Sequence, residues 1–180
     1  MLITSISGIR GTVGGIPGEN LTPIDVVNFI SAYGTFLKNN SSEEGITVAI
    51  GRDARKSGFS YSQIAIETLR SMGISIIDCG LAPTPTVEMT VIEKQTQGGL
   101  IITASHNPKE YNGIKMLNSE GEFLSADEGK EILEYIATED FSFTDTDSLG
   151  TYEYYENAIT DHIAKILELN ILDVESVTTK

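Results

Sequence analysis

The chain contains one cysteine and two histidines, and no apolar run approaches the roughly 20 residues a membrane-spanning helix needs. A lone cysteine, Cys79, excludes an intramolecular disulfide and a thiolate zinc cluster. It follows Ile74-Ser75-Ile76-Ile77-Asp78, a strand-like run, and reads as a buried, inert thiol. Positive charge is scarce as well. Twelve Lys and Arg face 26 Asp and Glu, a net charge of −14, which speaks against nucleic acid and against an anionic membrane as partners. The opening residues show no signal-peptide pattern, so a cytoplasmic protein is expected. There is no internal repeat. What remains is 180 residues, 40% hydrophobic, enough to bury one good core.

The few basic residues are not scattered. Arg10, Arg52, Arg55, Lys56, Lys109 and Lys115, half of the 12, fall in three short segments, whereas acid accumulates elsewhere, notably from Glu134 to Glu156. An anionic small molecule could be drawn to such segments despite the overall charge. The most informative of them runs Thr103-Ala104-Ser105-His106-Asn107-Pro108-Lys109-Glu110-Tyr111-Asn112-Gly113-Ile114-Lys115. Ser105 follows Gly99-Leu100-Ile101-Ile102-Thr103, a buried-strand pattern, so its hydroxyl should emerge at a strand's carboxyl end, where open α/β sheets hold ligands. Asn107-Pro108 and Asn112-Gly113 are both read as sharp turns. Lys115 can then fold back toward the serine and supply charge or a proton to phosphoryl oxygens. Phosphoryl transfer with Ser105 as nucleophile fits this arrangement.

Other chemistries fit less well. Serines after strands often serve only as caps or turn residues. Ser105 and His106 are sequence neighbours pointing in different directions, His162 lies in a helical pattern, and no Gly-x-Ser-x-Gly elbow is present, which disfavours a serine hydrolase. In Gly51-Arg52-Asp53-Ala54-Arg55-Lys56-Ser57-Gly58, Arg55 precedes Lys56-Ser57 where a nucleotide-binding P-loop requires glycine. Asp145-Thr146-Asp147 lacks the carboxylate count and glycine of a calcium loop and reads as a solvated connector.

Strand and helix patterns alternate. Thr22, Pro23 and Asp25 open a helix continued by Val26, Val27, Ile30, Tyr33 and Leu37, and a strand follows at Ile46 to Ile50. Tyr61, Ile64, Ala65, Thr68, Leu69 and Met72 mark a helix ended by Gly73, before a strand from Ile74 to Cys79. A short helix over Val87 to Ile92 then precedes the strand leading to Ser105, giving three parallel strands. Gly113 to Leu117 predicts a further strand, with Asn118 to Gly121 turning back into a strand at Glu122-Phe123-Leu124. Ser125-Ala126-Asp127-Glu128 is a capping box for a helix through Ile132, Leu133 and Ile136. From Tyr152, the residues Tyr155, Ala158, Ile159, His162, Ile163, Ile166 and Leu167 form one long amphipathic stripe, in which His162 is a packing or surface residue. The predicted fold is a three-layer α/β/α arrangement around a mixed, mostly parallel sheet.

Three segments in order also resemble one family. The Ser105 segment is similar to the TASHNP signature of the α-D-phosphohexomutases, Ser7-Gly8-Ile9-Arg10-Gly11-Thr12 to their amino-terminal glycine-arginine loop, and Gly51 to Gly58 to their GRDxRxSG segment. The resemblance implies that residues 1–150 form the family's first domain, and that 151–180 form a helix and the start of a bridge, Ile171-Leu172-Asp173-Val174-Glu175, to a second domain. It implies that Ser105 carries a phosphate, gives it to a hexose phosphate and recovers the other phosphate of the hexose bisphosphate so formed. Lys115 would assist proton transfer, Arg10 would contact the phosphoryl group, His106 and Asn107 would position the loop, and Arg52 and Asp53 would buttress it. Mg2+ would sit on the phosphoserine oxygens, its remaining ligands coming from later domains of the same polypeptide. Residues 1–180 alone would then be an inactive fragment. The alternative is a non-catalytic phosphate-binding or regulatory module of the same fold. Lys109-Glu110-Tyr111 is more similar to phosphoglucomutase/phosphomannomutase and archaeal-type phosphoglucosamine mutase than to the usual bacterial phosphoglucosamine mutase, which has aspartate in place of Tyr111.

Overall fold

Apolar residues at successive strand positions face opposite sides of one sheet and call for a helical layer on each. The computed structural model describes residues 1–5, 8–43 and 45–169; the bridge expected at Ile171 to Glu175 lies outside them. The strands are β1 (Leu2–Ser5), β2 (Gly8–Thr12), β3 (Thr47–Arg52), β4 (Ser75–Leu81), β5 (Gly98–Ile102), β6 (Tyr111–Leu117) and β7 (Tyr152–Tyr154). They form a single sheet in the order β1-β2-β6-β5-β3-β4-β7. β5, β3, β4 and β7 are mutually parallel, and β6, β2 and β1 follow by successive antiparallel pairings. All strands but β1 and β6 therefore share one direction, which is the mixed, mostly parallel sheet expected.

Val48, Ile50, Leu100, Ile102, Ile114 and Met116 pack on one face against α1 (Pro23–Asn40), α2 (Gly58–Ser71) and α4 (Ala126–Thr138). Ala49, Ile101 and Leu117 face the other way, toward α3 (Thr84–Lys94) and the start of α5 (Ala158–Leu167). The capping box holds: the Ser125 N–H donates to Glu128 Oε2 at 2.7 Å. Cys79 is buried, and that burial pushes its thiol up to about 11, so it stays protonated and unreactive at neutral pH. His162 is a packing residue. Its Nδ1 lies 2.8 Å from the buried Thr86 hydroxyl and ties α5 to α3.

Four local readings are corrected. The segment read as a glycine-arginine loop is strand β2 from Gly8 onward, registered on β6 with Gly8 opposite Lys115 and Arg10 opposite Gly113. Its short run with two glycines carries no usable alternation. Asn112-Gly113 is no turn but lies within β6. A Cβ on Gly113 would sit 2.8 Å from the Ile9 carbonyl oxygen and 2.9 Å from that of Thr103, so glycine is there for close backbone approach rather than for reversal. No strand forms at Glu122 to Leu124; a single bridge joins Leu117 to Phe123. The Asn118 side chain accepts the Glu120 and Glu122 N–H groups, and the cap of α4 begins at Ser125, which leaves no length for pairing. Finally, the stripe expected from Tyr152 is divided: Tyr152–Tyr154 is edge strand β7, and the helix starts at Ala158. The Tyr152 hydroxyl donates to Asp78 on β4 at 2.9 Å, a cross-strand contact invisible to helical periodicity. The sheet thus continues past the boundary expected at residue 150.

Gly113→Ala should destabilise the chain by about 1–3 kcal/mol, as overpacking against backbone does. Gly45, whose Cβ would meet nothing within 4 Å, supplies the control. Urea unfolding should separate the two variants; equal midpoints would remove the close-approach account of Gly113.

Candidate functional site

Strand β5 delivers the chain to the carboxyl edge of the sheet at Ile102, and the stretch from Thr103 to Glu110 must turn it round into β6. The turn is made at Asn107-Pro108: the Asn107 N–H donates to the Ala104 carbonyl at 3.1 Å, and the Tyr111 N–H to that of Pro108 at 3.0 Å. At its start Ser105 is exposed and adopts φ +54, a left-handed conformation that a non-glycine residue holds only when its surroundings impose it.

Those surroundings come from the segment after β3. The Asp53 carboxylate accepts the Thr103 hydroxyl at 2.6 Å, and Thr103 Oγ1 in turn accepts the Ser105 N–H at 3.0 Å. Arg55 Nε donates to the same carboxylate oxygen at 3.1 Å. Its Nη1 donates to the carbonyls of Pro108 (2.7 Å) and Tyr111 (3.0 Å), and its Nη2 to those of Ser105 (2.8 Å) and Asn107 (2.7 Å). A further tie runs from Asn112 Nδ2 to the Ser57 hydroxyl at 2.9 Å.

Ser105, His106, Thr103, Arg10 and Lys115 line a common cleft of about 250 Å³. Arg10 Nη1 donates to Asn107 Oδ1 at 2.9 Å, so Asn107 connects the loop to β2. His106 Nδ1 lies 3.4 Å from Ser105 Oγ, a long contact on an exposed side chain. The Lys115 ammonium rests 4.8 Å from the centroid of the Phe123 ring. Among the described residues neither Arg10 nor Lys115 has a carboxylate within ion-pair distance, although the chain carries a net charge of −14. The cleft therefore has two cations without a balancing anion.

Five of the seven residues expected in the site, Ser105, Lys115, Arg10, His106 and Asn107, meet at this cleft or on its loop, and Asp53 braces it from below. Arg52 goes elsewhere. Its guanidinium lies 5.5 Å from the Phe59 ring centroid and reaches back to the Asp53 carbonyl at 3.4 Å. It borders a second cleft of about 440 Å³ with Asp78 and Tyr152, where both Asp78 oxygens are already bonded, to the Gly80 N–H and the Tyr152 hydroxyl. Sequence reasoning counted Arg55 only as local charge and missed its contacts with the loop. The Arg-x-x-Arg spacing places both arginines in one segment, but nothing in it tells which of them turns toward residues 50 positions away.

Replacing Ser105 by glycine should relieve the left-handed strain and raise stability by about 1 kcal/mol or less, while removing the hydroxyl. Chemical denaturation would test this. A clear loss of stability would show that Ser105 is not held against its own preference.

Comparison with known proteins gives a consistent picture. A sequence model described as phosphoglucomutase/phosphomannomutase, alpha/beta/alpha domain I, matches residues 2–143. A phosphoglucomutase/phosphomannomutase of Thermococcus kodakarensis is 37% identical over 169 residues, covering 93% of this chain and 36% of that protein. A phosphoglucosamine/phosphogalactosamine mutase of Sulfurisphaera tokodaii is 35% identical, with the same coverage of 93% and 36%. Among solved structures, a phosphoglucomutase/phosphomannomutase family protein of Burkholderia thailandensis superposes with a TM-score of 0.73 at 23% identity, over 93% of this chain and 37% of that one, and shares the fold. The chain thus spans a little over a third of the length of these relatives.

Proposed function

Because this chain belongs to the phosphoglucomutase/phosphomannomutase family, through that family's α/β/α domain I, we propose that it is the phosphate-carrying part of a hexose-phosphate mutase, with Ser105 as the carrier. The observation that carries this reading is the strained, exposed Ser105 beside two cations that no carboxylate of the described residues neutralises. A phosphate ester on Ser105 adds between one and two negative charges at neutral pH, which Arg10 and Lys115, lining the same cleft, would offset.

In the proposed reaction a hydroxyl oxygen of the hexose phosphate attacks phosphorus, a new O–P bond forms and the P–Oγ bond to Ser105 breaks. The attacking hydroxyl loses its proton and Ser105 Oγ gains one. Lys115, on the wall of the cleft, is the residue assigned to proton transfer or charge stabilisation there. Reorientation of the bisphosphate and the reverse step restore phosphoserine with the sugar phosphate isomerised. Such transfers depend mostly on positioning and electrostatics, which suits a loop held rigid before substrate arrives.

Magnesium has no ready-made site within these residues. No group of three His, Cys, Asp or Glu is placed to hold a metal among the described residues, and the nearby Asp53 carboxylate is bonded to Thr103 and Arg55. Mg2+ on the phosphoserine would need its other ligands from outside the described residues.

The test is an assay of the longer protein containing this chain, using glucose 1-phosphate, mannose 1-phosphate and glucosamine 6-phosphate, beside residues 1–180 alone. Turnover of at least one substrate by the longer protein and none by residues 1–180 is expected. Absence of turnover in both would favour a phosphate-binding or regulatory module, and equal turnover would overturn the view of an incomplete site.

A further inference from the structure

We infer that Arg55 is a positioning residue, whose guanidinium shapes the Ser105 loop from within and takes no part in binding phosphate. A guanidinium has five N–H donors. Here all are used: Nε on Asp53, and the two Nη groups on the carbonyls of Pro108, Tyr111, Ser105 and Asn107. None is left for a ligand. The side chain is only 12% exposed, as expected of an internal brace rather than an anion receptor. Arg10 differs in kind. Among the described residues its one side-chain hydrogen bond, from Nη1 to Asn107, leaves donors free at the cleft.

The four carbonyls explain why Arg55 can set the conformation of Ser105. They belong to both ends of the turn, so one rigid planar fork fixes the entry at Ser105, the reversal at Asn107-Pro108 and the exit into β6 at Tyr111. Carbonyls converging on one cation would repel one another without it. Asp53 completes the device from the opposite side. It neutralises Arg55 and, through the Thr103 hydroxyl, holds the Ser105 N–H. The left-handed φ of +54 at Ser105 is thus pinned at its amide by Thr103 and at its carbonyl by Arg55. A lysine has three donors, no planar fork and no means of serving five acceptors at once.

This inference rests on the reading of Ser105 as phosphate carrier, and the two can fail separately. In the full-length protein, Arg55→Ala and Arg55→Lys should each lower kcat about a hundredfold with KM for the hexose phosphate changed less than about threefold, the cost of a reacting group misplaced by about an ångström. Hydrogen exchange of the amides from Ser105 to Tyr111 should quicken in both variants, a readout independent of turnover. Arg10→Ala, which removes one tie to the loop at Asn107 where Arg55 makes four, should raise KM and quicken that exchange less than either Arg55 variant. Should the Arg55 variants not fold, Thr103→Val against Thr103→Ser probes the other pin: only the first should lower kcat, with the second restoring it. Wild-type kcat in Arg55→Lys would overturn the inference, as would a KM-only effect, an unchanged exchange rate in the loop, or, for the Thr103 pair, equal kcat. Inactivity of the wild-type protein on every hexose phosphate would instead remove the reading of Ser105 and leave the exchange result to decide the role of Arg55.

Discussion

Ser105→Ala in the full-length protein should abolish both mutase turnover, by on the order of ten-thousandfold or more, and the uptake of phosphate from a hexose bisphosphate. The effect should be this large because the other hydroxyls at the cleft, among the described residues, are already engaged: Ser5 donates to the Gly8 carbonyl at 3.0 Å. Thr103, the nearest by sequence, spends its hydrogen on Asp53 and its lone pair on the Ser105 N–H. The Ser57 hydroxyl is tied to Asn112. Intact mass and peptide mapping after incubation with glucose 1,6-bisphosphate would measure the label directly. Label retained in Ser105→Ala, or undiminished activity, would rule out the phosphoserine route. The Ser105→Gly variant should be equally inactive while at least as stable, which separates loss of chemistry from loss of fold.

Lys115→Ala should reduce turnover by about a hundredfold or more, the usual contribution of a positioned proton donor, whereas Lys109→Ala should act only on substrate attraction. The two lysines differ in setting. Lys115 is half-buried on β6, directly opposite Gly8 of β2, and lines the cleft with Ser105. Lys109 is exposed on the outer part of the loop, where solvent screens its charge. Steady-state kinetics at two ionic strengths would distinguish them: the Lys109→Ala defect should shrink with salt and that of Lys115→Ala should persist. Small, equal losses from both would take Lys115 off the list of catalytic residues.

Much of the candidate site was legible because its loop is written in consecutive residues. Ser105 lies three residues beyond a strand whose apolar character is unmistakable, and His106, Asn107 and Pro108 announce the turn by type alone. Arg52 and Arg55 show the limit. Both carry the same side chain within one segment, yet one stacks on Phe59 and the other gathers the loop carbonyls. Their roles depend on where a distant loop passes, and charge counting cannot supply that. Asn112-Gly113 misled for a related reason. The pair favours turns through its own backbone freedom, but in β6 the glycine is required by neighbouring carbonyls from β2 and the Ser105 loop, contacts that local propensity does not contain.

The sequence by itself determined the alternation of strands and helices, the three parallel strands at the centre, the burial of Cys79 and the place of Ser105 at a strand's end, since each follows from short-range periodicity, capping and turn chemistry. The tertiary structure alone decided that Leu2–Ser5 and Gly8–Thr12 pair as strands β1 and β2 beside β6, that Tyr152–Tyr154 extends the sheet at its other edge, and that Arg10 and Lys115 share a cleft with Ser105 while Arg55 is consumed in holding the loop. Edge pairing and the choice of hydrogen-bond partner are long-range. They are settled by which backbone groups remain unsatisfied once the core has formed, and residues up to about a hundred positions apart take part in that settlement, as Arg10 and Asn107 do.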